Sequence, residues 1–403
     1  MLDKLIAGPP SRRQYIAYGL MVGILLVLPL FLSDFRLALV GKYLAFAVAA
    51  VGLDLLWGYA GVLSLGHAVF FSLGAYSMAM HMKLQSEALP DFMVWSGLEQ
   101  LPWFWEPFRH FAFALPMAVV IPAVFAIIIG YPTFRSGIRG VYFSILTQAM
   151  ALAMSILFIG QQPYTGGTNG MTNFQSLAGI SLYRSGMRLG LYLATVITLV
   201  GVVALALWLV KTRTGTVLMA IRDGENRLRF LGYNPVRYKL VTFALSAGIA
   251  GFAGALFVPQ VGIISPSSMS ILPSVEMAIW VAVGGRGTIV GAAAGAVVVN
   301  WAKTVFSESL PEAWLYVFGG LFIGVVLLFP RGLAGIADQV RGLLRKTRTE
   351  QRRTVQQRNG DANARSASPP APDPIVAADA ARHPAPLAPR VVEPGVAAAV
   401  REP

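Results

Sequence analysis

The chain has 403 residues, 56% of them hydrophobic and 13% charged, with a formal net charge of +13 and no cysteine. A soluble domain carries about 25% charged residues, so lipid must solvate most of this surface. The missing cysteines exclude disulfides, thiolate catalysis and Cys-ligated metals, and His67, His81, His110 and His383 lack the spacing of metal ligands.

The segment 1–13, with Lys4, Arg12 and Arg13, is expected on the cytoplasmic side, and no signal-peptide cleavage pattern stands out near it. A membrane span needs about 20 apolar residues. Runs of that character lie near 14–33, 37–57, 65–82, 111–130, 141–160, 189–210, 240–262 and 312–330. Two further pieces, 273–284 and 288–306, are split by Gly284-Gly285-Arg286-Gly287. The first is short for a full span and reads as a half-helix or a tilted span, tolerated where broken backbone lines a cavity. The fold class is therefore an all-α polytopic membrane protein. About ten transmembrane helices, including this broken pair, fill a domain over 14–336.

The basic residues test that topology. Arg135 and Arg139, the loop 211–239, Arg286 and the first part of the tail all fall on the cytoplasmic side when the N-terminus is inside. The loop 83–110, acidic and bearing Trp95, Trp103 and Trp105, then lies outside, as an aromatic interfacial anchor or a docking face. The tail 337–403, basic and then Ala/Pro-rich, is expected to be disordered and cytoplasmic, its basic start touching anionic lipid headgroups. Clustering of the positive charge in short loops and the tail argues against nucleic acid as the partner.

No phosphate-binding G-x-x-x-x-G-K-[ST], no H-E-x-x-H and no G-x-S-x-G is present; Gly61-Val62-Leu63-Ser64-Leu65-Gly66 has the wrong spacing for a nucleophile elbow. An enzyme thus has no catalytic constellation behind it, and no cofactor is expected on this chain. The loop 211–239 suits a short surface helix ended by Gly232, with Pro235 unable to continue it. A soluble motor subunit could grip such a helix; a solvated basic loop is the plainer reading.

Three sets of residues carry a resemblance. Glu225 followed by Gly232 resembles the Glu-Ala-Ala…Gly coupling loop of ATP-binding-cassette (ABC) importer permeases, with Arg227 and Leu228 in place of the alanines. Gly58-Tyr59-Ala60-Gly61-Val62-Leu63-Ser64-Leu65-Gly66-His67 resembles the G-Y-x-G-x-L-S-L-G-H signature of branched-chain amino-acid permeases. Leu101-Pro102-Trp103-Phe104-Trp105, Gly140-Val141-Tyr142-Phe143-Ser144, Glu225-Asn226-Arg227, Gly232-Tyr233-Asn234-Pro235, Val258-Pro259-Gln260 and Gly284-Gly285-Arg286-Gly287 look like the urea-importer branch of that family (UrtC type).

The resemblance covers residues 14 to 336 and implies an ABC permease that moves urea across the bacterial inner membrane by alternating access. It implies 211–239 as the coupling loop, with Arg222, Asp223, Glu225, Arg227 and Gly232 as its coupling residues. It also implies a homologous second permease, two cytoplasmic ATPase subunits that bind ATP and Mg, and a periplasmic urea-binding protein. The alternatives are a permease for branched-chain amino acids or short amides and, in another class, a stand-alone channel or secondary transporter, which would not need the 213–235 element.

Charged groups in a bilayer are site candidates. Glu276 is expected in the first turn of the short helix, as a dipole cap or a solute contact. Asp54 is expected to snorkel or pair with Lys42. Ser64 and His67 follow the first Gly-rich break and are expected in the pore wall. Asn169 lies in an external turn cluster at 166–170, and Asn300 follows the packing motif Gly291 to Gly295. These five form the expected solute pathway.

Overall fold

The computed structural model describes residues 12–86, 88–184 and 186–309, with Tyr316, Gly319, Gly320 and Gly324 beyond them. The expected span at 312–330 and the tail 337–403 lie outside the described segments. In chain order the helices are α1 (Arg12–Val27), α2 (Asp34–Asp54), α3 (His67–Lys83), α4 (Asp91–Trp95), α5 (Phe111–Arg135) and α6 (Val141–Gly160). They continue with α7 (Gln162–Thr165), α8 (Met187–Lys211), α9 (Arg213–Phe230), α10 (Pro235–Val261), α11 (Ile271–Gly284) and α12 (Ile289–Ser309).

Among the described residues six helices are long and apolar enough to cross a membrane: α2 with its extension to Tyr59, α5, α6, α8, α10 and α12. α1, α3 and α11, at 16, 17 and 14 residues, are shorter. The apolar runs thus become helices within a few residues of their expected limits. α10 starts earlier than its apolar run because the Asn234 side chain accepts a hydrogen bond from the Val236 amide at 3.1 Å and Pro235 occupies the first turn.

Three helices form the centre: α3, buried at all but Lys83, and two long spans. The apolar windows of α2 and α10 are 78% and 72% buried, against 22% for α5 and 28% for α8, whose outer faces are left to lipid. Small residues make this possible, because helices in a membrane associate by close packing rather than by hydrophobic expulsion. A Cβ on Gly74 would overlap the carbonyl of Gly251, so α3 and α10 meet backbone to backbone. Phe70, Phe243, Phe134 and Phe143 then close the core where α3, α5, α6 and α10 converge. Gly291 and Gly295 place α12 against α11 within the same chain.

The all-α expectation overlooks two small ladders. β1 (Met171–Thr172) pairs antiparallel with β4 (Ile263–Ile264), and β2 (Ser176–Leu177) pairs with β3 (Ile180–Ser181). The turn cluster at 166–170 leads into the first of them. Strands of two residues leave no period-2 pattern to read.

Candidate functional site

The two Gly-rich breaks, more than two hundred residues apart in sequence, meet in space. α2 runs on past Asp54 as a wider π-turn, Leu55–Tyr59, before the chain loops to α3. The break between α11 and α12 docks on this turn. The Asp54 carboxylate accepts from the Gly287 amide at 2.7 Å, and the Tyr59 hydroxyl donates to the Gly287 carbonyl at 2.9 Å. Arg286 donates from Nε to the Trp57 carbonyl at 3.2 Å while its guanidinium lies 5.1 Å from the Trp57 ring centroid. Gly58 sits so close that a Cβ there would lie 2.6 Å from the Gly287 nitrogen.

α9 is tied to the same place. Arg222 donates from Nη1 to the Gly58 carbonyl at 2.7 Å and from Nε to Asp223 at 3.1 Å. A charge-assisted bond of this length to a backbone carbonyl is among the stronger hydrogen bonds. α9 buries Leu218, Ile221 and Leu228 and is kinked at Gly224, whose backbone is extended.

Past the kink a second anchor forms. Glu225, with its side chain only 10% exposed, pairs with Lys239 at 2.5 Å, with Arg139 at 3.2 Å and with Arg229 at 3.1 Å. Glu225, Lys239 and Arg139 line a cavity of about 240 Å³ together with Ala60, Gly61 and Phe143. The outer side of the element carries Arg227, Phe230, Leu231 and Tyr233, with Phe230 92% exposed. The chain turns there at Gly232, whose φ of +82° is the left-handed conformation that ends a helix, as expected.

The five residues expected along a solute path do not form one cluster; among the described residues no hydrogen bond joins any two of them. Ser64 and His67 are fully buried. The Ser64 hydroxyl has no partner among the described residues, and His67 Nε2 lies 3.3 Å from the Ser246 hydroxyl. Asn169 is exposed beside the β1 ladder. Asn300 is buried and donates to the Ala296 carbonyl at 2.8 Å.

Two expectations are corrected. Glu276 is not in the first turn, because α11 already starts at Ile271; it forms an ion pair with Lys303 of α12 at 2.7 Å. Asp54 does not pair with Lys42. Twelve residues along one helix separate them by about 18 Å. Lys42 instead places its ammonium 5.8 Å from the Phe46 ring centroid, and Asp54 is fully buried against Gly287. Reading the residues singly missed Tyr59, Arg139, Lys239 and Arg286. The available signal was that both Gly-rich motifs carry glycines with no obvious turn to serve. Among the described residues no group of three or more His, Asp or Glu is placed to hold a metal.

Membrane-length helices around a small-residue core, with a charged helix hitched to one of two broken membrane segments that dock on each other, define a polytopic membrane permease. The chain belongs to the branched-chain amino acid transport system permease component family, which it matches over residues 35–326. It is 25% identical to the high-affinity branched-chain amino acid transport system permease protein LivM of Salmonella typhimurium, over 81% of this chain and 76% of that protein. It is 26% identical to LivM of Escherichia coli, over 72% and 67% of the two chains. The autoinducer 2 import system permease protein LsrC of Salmonella paratyphi B is 27% identical over 54% of this chain and 63% of its own. No solved structure matches the chain.

Proposed function

We propose that this chain is a permease subunit of an ABC importer in the bacterial inner membrane and that its solute is urea or a close small amide. The observation that carries the reading is the double attachment of α9, by Arg222 to the Gly58 carbonyl and by Glu225 to Lys239 and Arg139. A helix with an exposed outer side, fastened to the membrane bundle by charge-assisted bonds, suits a motor subunit that pulls on it. Asp223, Arg227, Phe230 and Leu231 offer the docking side to an ATPase, which supplies ATP and Mg. Ten crossings, with 312–330 as the last, put both termini and α9 in the cytoplasm. A homologous second permease, a second ATPase and a periplasmic binding protein complete the assembly. The chain itself needs no catalytic residues.

For the solute, urea is neutral, with four N–H donors and one carbonyl acceptor. Buried hydroxyls and amides such as Ser64 and Asn300 suit it, and the only charged groups on the expected path are already paired. A second reading, a branched-chain amino acid, is favoured by the two LivM relatives and by the Glu276–Lys303 pair, whose opposite charges match a zwitterion.

The test is uptake of radiolabelled urea and leucine at micromolar concentration, with and without this chain. Loss of urea uptake alone supports the first reading, and loss of leucine uptake alone supports the second. No loss of either overturns both. Because the chain has no cysteine, Arg227→Cys with an impermeant thiol reagent reports the side on which α9 lies.

A further inference from the structure

The buried polar groups that lack partners are not scattered evenly. In α3, Ser72 and Tyr76 are 0% and 2% exposed, and neither hydroxyl finds a hydrogen-bonding partner among the described residues. Four residues apart on a helix, they share one face. The Tyr76 ring meets Phe158 of α6 edge-on at 4.9 Å, so that face looks towards α6. Buried hydroxyls are nearly always paired, and two orphans one turn apart call for an explanation.

α6 answers with a polar stripe of its own. Ser144, Gln148 and Ser155 fall within a narrow angular range on this helix, and Gln148 lies near its middle. Ser144 donates to the Leu63 carbonyl at 2.9 Å, and Ser155 donates to the Pro266 carbonyl at 3.0 Å, just ahead of α11. The stripe therefore turns towards the loop before α3 at one end and the turn before α11 at the other. Gln148 is half-buried and makes no hydrogen bond to the described protein. An amide in mid-membrane without a partner is too costly to be left against lipid. α11 closes the third side, where Ser274 accepts from the Ala68 amide at 3.2 Å at the start of α3.

We infer that the seam where α3 faces α6 and α11, with Ser72 and Tyr76 on α3 and Gln148 on α6, is a binding site for a small uncharged amide on its way through the protein. The inference rests on the proposed function and adds residues outside the expected pathway. The chemistry fits a planar neutral solute: two hydroxyls can donate to a carbonyl or accept from N–H groups, and the Gln148 amide can do both at once. A charged solute would find no counter-charge on these side chains. α6 is fastened at its two ends, by Ser144 and Thr147 to the Leu63–Leu65 loop and by Ser155 and Phe158 further along the helix.

Two measurements on the complete importer decide the matter. Tyr76→Phe and Ser72→Ala each remove one solute hydrogen bond and are expected to raise the KM for uptake about tenfold. Independently, Ser72→Cys and Gln148→Cys are expected to react with a small polar thiol reagent at a rate that differs between the ATP-bound and nucleotide-free complex. Ala50→Cys, buried in α2, should stay unreactive. An unchanged KM in both hydroxyl variants, or cysteines at 72 and 148 no more reactive than at 50 in either state, overturns the inference. If the wild-type importer moves neither urea nor leucine, the proposed function fails, and the labelling still decides the seam.

Discussion

Two polar regions of this permease are built on opposite terms. Where the breaks at Gly58 and Gly287 meet, the four bonds that join separate elements each link a charged or hydroxyl side chain to a fixed backbone group. Along the α3 face towards α6, the Ser72 and Tyr76 hydroxyls have no partner among the described residues. Groups bonded across elements make a joint that carries force without yielding. Unsatisfied groups keep a low-cost position for something that arrives from outside. The first region suits transmission and the second suits recognition, and the two can be broken separately.

The largest effect is expected from Gly58→Val. A side chain there would overlap Gly287, forcing the α11–α12 break off the π-turn, at a cost of several kcal/mol. Thermal unfolding of the detergent-purified protein should show a much lower midpoint, and an unshifted midpoint would mean that the two breaks do not bear on each other.

Next comes Glu225→Gln. It leaves Lys239, with 7% of its side chain exposed, without its counter-charge, at a cost of about 3 kcal/mol. Faster hydrogen exchange across 225–230 is the expected readout, and Lys239→Met in the same chain should restore protection.

A smaller change is expected from Arg222→Lys. A lysine keeps the charge but not the planar fork, so ATP hydrolysis should continue while solute moved per ATP falls several-fold. Equal loss of both activities would show that Arg222 supports only the fold. Arg227→Ala is the weakest case. Exposed and unpaired, it should shift stability by less than about 0.5 kcal/mol, yet loosen capture of the ATPase subunit in a pull-down.

The same contrast explains what could be read from the chain beforehand. Helix positions were legible because long apolar runs declare themselves locally, as with α5 and α6. The turn at Gly232 was legible for the same reason, being a property of a few neighbouring residues, whereas the start of α10 at Pro235 was placed five residues late by its apolar run. The joint was not. Arg222 reaches a carbonyl 164 residues away, and Asp54 an amide 233 residues away. No local pattern encodes either distance. Glu276 was misplaced because its partner, Lys303, lies on the facing helix of a hairpin whose start the apolar run put two residues late. The orphaned hydroxyls were invisible for the converse reason: a serine inside an apolar helix looks alike whether or not it bonds its own backbone, as Ser77 does to the Leu73 carbonyl at 2.9 Å and Ser72 does not.

The kink at Gly224 falls between the two fastenings of α9, with Arg222 before it and Glu225 after it. A rigid rod would pass any tilt to both attachments equally. A jointed one divides the stroke, pushing on the α2 turn with one half and on the foot of α10 with the other. On the proposed coupling role, a docking motion along the roughly 27 Å of this helix would thereby arrive in the membrane as a shear between α2 and α10.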